Sequence, residues 1–163
     1  MKALSIYLFL LFTVLISCAK PPNYPNEPVI EFNNLNRNVM KQGEPPVDTI
    51  ILTINYTDGD GDLGSLNDSL DVYMTDTRFD LFNITYILPF VPQQGAGNGI
   101  SGEISLVLPG SCCTYPNNAA QPCDNTVSDL YPTDTIVYEI YIKDRAGNES
   151  NRILTENIIL LCE

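Results

Sequence analysis

Among 163 residues there is no histidine and no tryptophan, and lysine and arginine together number 8 against 20 aspartates and glutamates. Each shortage excludes something. Without an imidazole the chain cannot build a Ser-His or Cys-His nucleophile system, in which the attacking group needs a base that takes its proton near neutral pH. A carboxylate pair of the kind that hydrolyses glycosides is compatible with the composition. No two acids stand apart from the others for that role, however, and no phosphate-binding glycine loop of the P-loop or dinucleotide type is present. The lack of tryptophan weighs against a platform of exposed aromatics for stacking sugar rings. A net charge of −12 repels the nucleic-acid backbone, so nucleic acid is not expected as a partner. The chain is therefore expected not to be an enzyme.

Long apolar runs are also scarce, the one exception being at the start. Ala3 to Ile16 is apolar except at Ser5, Tyr7 and Thr13, and Lys2 precedes it. A helix needs roughly 20 apolar residues to cross a bilayer. A shorter run behind a positive charge fits an export leader. The run ends in Leu15-Ile16-Ser17-Cys18, which resembles the lipobox of bacterial lipoproteins. That resemblance implies cleavage after residue 17 and thioether lipidation of Cys18, an anchor with several acyl chains, which holds where a single chain binds only marginally. Residues 18–28 then form a tether, extended because Pro21, Pro22, Pro25 and Pro28 favour open backbone. Residues 29–163 form one domain, a length that suits a single core. The expected location is the cell envelope, on the outer membrane. Lys20, where a surface-export signal would carry acids, favours its periplasmic face.

Setting Cys18 aside leaves Cys112, Cys113, Cys123 and Cys162, an even number in an oxidising compartment, which points to two disulfides. Neighbouring Cα atoms lie about 3.8 Å apart, less than the usual span of roughly 4.4–6.8 Å across a disulfide. One of Cys112 and Cys113 should accordingly bond Cys123 and the other Cys162. A zinc site would lack both histidine and a Cys-x-x-Cys spacing.

No helical period is sustained after residue 28, whereas period-two alternation recurs between turn signals. In Asp48 to Thr57 the residues Ile50, Leu52, Ile54 and Tyr56 share a face. In Thr135 to Lys143 it is Ile136, Tyr138, Ile140 and Ile142. Further strands are expected around Val29 to Leu35, Leu70 to Met74, Phe82 to Leu88, Ile104 to Leu108 and Arg152 to Leu161. Pro92 to Gly99 and Pro109 to Pro132 are expected as long surface loops. The segment Tyr138-x-Ile140-x-Ile142-x-Asp144-x-Ala146-Gly147-Asn148-x-Ser150 resembles the last hairpin of fibronectin type III and bacterial immunoglobulin-like domains. The resemblance implies an all-β fold, a single immunoglobulin-like β-sandwich of about seven strands, with Tyr138 in the corner position of such sandwiches. Taken whole, the chain is similar to immunoglobulin-like lipoproteins of Bacteroidota.

Asp58-Gly59-Asp60-Gly61-Asp62-Leu63-Gly64 sets three carboxylates at alternate positions with glycines between them. Hard oxygen ligands at this density suit Ca²⁺, and glycine lets the loop curl so that alternate side chains meet one ion. It is not an EF-hand, since position 12 would be Ser69 where a bidentate glutamate is needed. In an immunoglobulin-like sandwich this loop and the 144–148 turn lie at one end, so Asp144 is the expected fourth ligand. Asp68 and Asp71 are weaker candidates. Asp-Gly repeats also make plain solvated turns.

Three functions are compatible with these residues. The first is a non-catalytic envelope module, binding or structural, with outward Tyr73 and Tyr141 available for contacts. Glycan binding is the alternative, and a small hydrolase using Asp or Glu is the third.

Overall fold

Period-two alternation in the sequence becomes alternation of buried and solvent-facing side chains along most strands of a computed structural model that describes residues 23–43, 48–65, 71–79, 83–92, 99–124 and 126–163. The leader, Cys18 and Asp68 lie outside the described residues. The fold is all-β and sandwich-like. Its strands are β1 (Val29–Leu35), β2 (Val39–Lys41), β3 (Ile51–Asp58), β4 (Val72–Asp76), β5 (Asn83–Tyr86), β6 (Ile100–Val107), β7 (Thr133–Ile136), β8 (Tyr138–Ile142), β9 (Ile153–Leu154) and β10 (Ile158–Leu161). A short 3₁₀ turn at Pro116–Asn118 is the one helical element among the described residues, and no helix there is long and apolar enough to cross a membrane.

Three hydrogen-bonded sheets result, in the orders β1-β3-β6, β2-β10-β7 and β5-β4-β8-β9. The last two are continued into each other by the chain. β7 runs into β8 across Val137, and β9 runs towards β10 across residues 155–157. Neighbouring strands are antiparallel except β2, which pairs parallel with β10.

Among the described residues ten strands stand where about seven were expected, for two physical reasons. The expected strands 135–143 and 152–161 are each divided, because buried Thr155 places its hydroxyl on the Tyr138 amide and its own amide on the Tyr138 carbonyl, so a side chain interrupts the ladder. β2 is only three residues long, too short for a period to show.

The core is drawn from both layers. Ile30, Ile50, Leu52, Ile54, Val72, Met74, Ile136, Ile140, Ile142, Ile158 and Leu160 are all fully buried. Tyr138 is buried in the same core, and burial is the main reason its phenol is pushed far up from its ordinary pKa. Asn151 closes one edge, accepting from the Ile30 amide at 2.8 Å and donating to the Ile30 carbonyl at 2.9 Å.

The loop after β6 is less superficial than its composition suggests. Cys112 bonds Cys123 and Cys113 bonds Cys162, and both Cys113 and Tyr115 are buried in the core. Above them Arg78 donates to Asp76 and Asp134, each at 2.6 Å, and to the Cys112 carbonyl at 3.1 Å. Burial raises the Asp134 carboxyl. The hydrogen bonds from Thr114, Thr135 and Arg78 outweigh burial and hold it below its ordinary value.

Asp134→Asn is expected to destabilise the fold by about 2 kcal/mol at neutral pH, the usual cost of spoiling a charge-assisted network that is partly buried. Because the folded-state pKa is depressed, this stability is present above the ordinary carboxylate value and is lost as pH falls through the folded one. The gap between wild type and variant in urea melts should therefore close in acid.

Candidate metal centre

Asp58 is the last residue of β3, facing Ile100 across the ladder to β6, and is fully buried. Its Oδ2 accepts the Asp62 amide at 2.8 Å, which closes residues 58–62 into a tight loop. Gly61 takes φ +68° within it, a conformation in which a side chain would be strained. The turn after β8 is closed in a similar way, with Asp144 accepting the Asn148 amide at 2.7 Å and its side-chain amide at 2.8 Å.

The loop and the turn are bonded to each other. The Arg145 amide donates to the Asp62 carbonyl at 3.2 Å, and the Ala146 amide donates to Asp62 Oδ2 at 3.1 Å. Arg145 places its guanidinium on the Leu63 and Gly64 carbonyls and over the ring of Phe90, and its charge partly offsets the upward shift of Asp62.

Asp58, Asp60, Asp62 and Asp144 thereby come together, each offering a carboxylate oxygen within 4.8 Å of the others. Such a group can hold a metal ion. Left alone, two unit charges at that distance repel by about 3 kcal/mol at an effective dielectric of ~20. Among the described residues no ion pair reaches Asp58, Asp62 or Asp144. Asp58 Oδ1 and Asp62 Oδ1 are buried and accept no hydrogen bond, an arrangement that is costly unless something positive meets it. Burial first, and then the neighbouring acids, push Asp58 up to about 6 and Asp62 upward as well.

The sequence-expected ligands Asp58, Asp60, Asp62 and Asp144 are thus the four that the structure assembles. Asp71 does not join them. It is buried beside the loop, but its Oδ2 accepts the Leu88 amide at 3.0 Å. Tyr73 and Tyr141 stack on each other with ring centres 4.8 Å apart, and Lys143 and Arg152 lie over their rings, so these faces are already engaged. A groove of about 420 Å³ lies beside β5 and β6, lined by Tyr86, Leu88, Ile104 and Leu106 among others. Its lining is mostly apolar and offers few groups to orient a polar ligand.

Compared with known protein families, with curated proteins and with solved structures, the chain matches none of them.

Proposed function

We propose that the mature chain is a non-catalytic module of the bacterial cell envelope, binding or structural in role, held to a membrane by lipid on Cys18 and stabilised by Ca²⁺. The four converging carboxylates carry the calcium part of this reading. Oxygen ligands lie 2.3–2.6 Å from Ca²⁺, so opposite ligands are roughly 5 Å apart. Around Mg²⁺ at 2.0–2.1 Å they are about 4 Å apart. Four oxygens within 4.8 Å of one another fit inside the Ca²⁺ shell, and a set made wholly of carboxylates, without the several waters that Mg²⁺ keeps, suits Ca²⁺ better. Backbone carbonyls and water would complete its shell, as is usual when carboxylates supply only part of it.

An immunoglobulin-like sandwich is supported by the strand order. β1, β3 and β6 correspond to strands A, B and E of one sheet, and β4, β8 and β9 to C, F and G of the other, with β5 added at the edge. Such folds offer loops and sheet faces to partners, and nothing in the cluster resembles a nucleophile with its base. The Leu15-Ile16-Ser17-Cys18 segment supports lipidation, and Lys20 supports the periplasmic face of the outer membrane.

Two measurements test this. Mass spectrometry of the protein from its native membrane should find an acylated Cys18 at the amino terminus, and Cys18→Ala should leave the leader uncleaved. An unmodified, uncleaved leader in the wild type would overturn the anchor. Pull-down of tagged protein from the envelope, with and without chelator, should retain a protein partner. Selective capture by a glycan array, with no protein partner retained, would favour the glycan reading.

A further inference from the structure

The acidic loop has a neighbour that its ligand geometry does not explain. The Gly59 amide donates to the Pro25 carbonyl at 2.7 Å. A Cβ on Gly59 would sit 2.4 Å from the Tyr24 carbonyl oxygen and 2.5 Å from that of Pro25, far inside contact distance. On the other side, a Cβ on Gly99 would sit 2.8 Å from the Tyr24 ring and 2.6 Å from the Asp58 carbonyl oxygen. The two glycines therefore form a shelf on which Tyr24 and Pro25 lie, with Asp58 as its back wall. Gly59 is not among the residues of positive φ, so its lack of a side chain answers a need for room and not for an unusual backbone angle. Residues 24–25, expected to be free tether, are docked on the metal loop.

We infer that the acidic loop is a calcium-dependent clasp for residues 24–25, an inference that rests on the calcium reading above. The shelf exists only while residues 58–62 hold their curl, because Gly59 lies between two ligand residues and its amide must point at Pro25. A bound cation cancels the repulsion among the four carboxylates and fixes that curl. Without it the loop relaxes and the strap of chain is released. The consequence is a change of reach. Docked Tyr24 stands six positions along the chain from Cys18, a span of at most about 22 Å, whereas after release the first held residue is Val29 at the start of β1, eleven positions along, or nearly 40 Å. With the ion bound, the acidic end of the sandwich faces the anchor and the disulfide-bonded loop at the opposite end points away from it.

The absence of tryptophan gives the test a unique reporter. Tyr24→Trp is made in the full chain in detergent, Ca²⁺ binding is measured by calorimetry, and acrylamide quenching is read in Ca²⁺ and in chelator. Quenching is expected to rise several-fold in chelator. Gly59→Ala in the same background keeps all four carboxylates and removes the room for the strap, so quenching should stay high in both conditions. Hydrogen exchange at Asn26, Glu27 and Gly59 in the unsubstituted chain, faster in chelator, guards against the indole itself disturbing the shelf. Equal quenching and equal exchange with and without ion, on protein that binds Ca²⁺, would overturn the clasp and leave the metal site standing. No heat of Ca²⁺ binding would overturn the metal site and the clasp with it.

Discussion

Replacing Cys113 and Cys162 together by alanine is expected to lower the unfolding free energy by about 4 kcal/mol. The bond joins residues 49 apart in sequence, against 11 for Cys112–Cys123. In the chain-entropy account the cost of closing a loop grows with the logarithm of its length, which puts the shorter bond nearer 3 kcal/mol. Position widens the gap. Cys113 and Cys162 are both fully buried in the core, and the Cys162 amide donates to the Pro132 carbonyl just beyond the last strand. Their bond fixes the end of β10 to the loop after β6, and alanine would also leave unfilled volume where sulfur packs. Urea denaturation of the two double variants, unreduced, measures the difference. Graded reduction with mass spectrometry should open the partly exposed Cys112–Cys123 bond first. Equal losses in the two variants would show that the longer loop confers nothing.

What the sequence made legible was whatever a local pattern can carry. The faces of β3 and β8 follow from alternation alone, because one side of each strand meets the core and the other meets water. The divisions at Val137 and at residues 155–157 were not legible. They depend on a threonine hydroxyl reaching a strand 17 residues away in sequence, and no period encodes that. Arg78 and Asn151 were missed for the same reason, since each is a lone polar residue whose role is set by partners from distant parts of the chain. The cluster divides similarly. Asp58, Asp60 and Asp62 announce themselves by repetition, while Asp144 could be added only by assuming which loops share an end of a sandwich. From the sequence alone Gly59 permits a curl and nothing more. Its need for empty space becomes visible only once Tyr24 and Pro25 lie against it.

At neutral pH, Ca²⁺ at a hundred times its dissociation constant should stabilise the fold by about 2.7 kcal/mol, a rise in melting temperature of about 8 °C for a domain of this size. Asp60→Ala removes one of four ligands and should abolish most of that rise. The pH dependence gives an independent check, because its sign differs with and without the ion. Burial and the surrounding acids raise Asp58 to about 6 in the folded protein, so its proton is held more tightly there than in the unfolded chain. In chelator, this residue's contribution is therefore fully present below the ordinary carboxylate range and is lost as pH rises through about 6. Ca²⁺ needs the carboxylate bare and competes with that proton, so its stabilising effect should be small at pH 5 and large at pH 7.5. A melt that ignores millimolar Ca²⁺ at pH 7.5 would show that these four carboxylates hold no calcium ion.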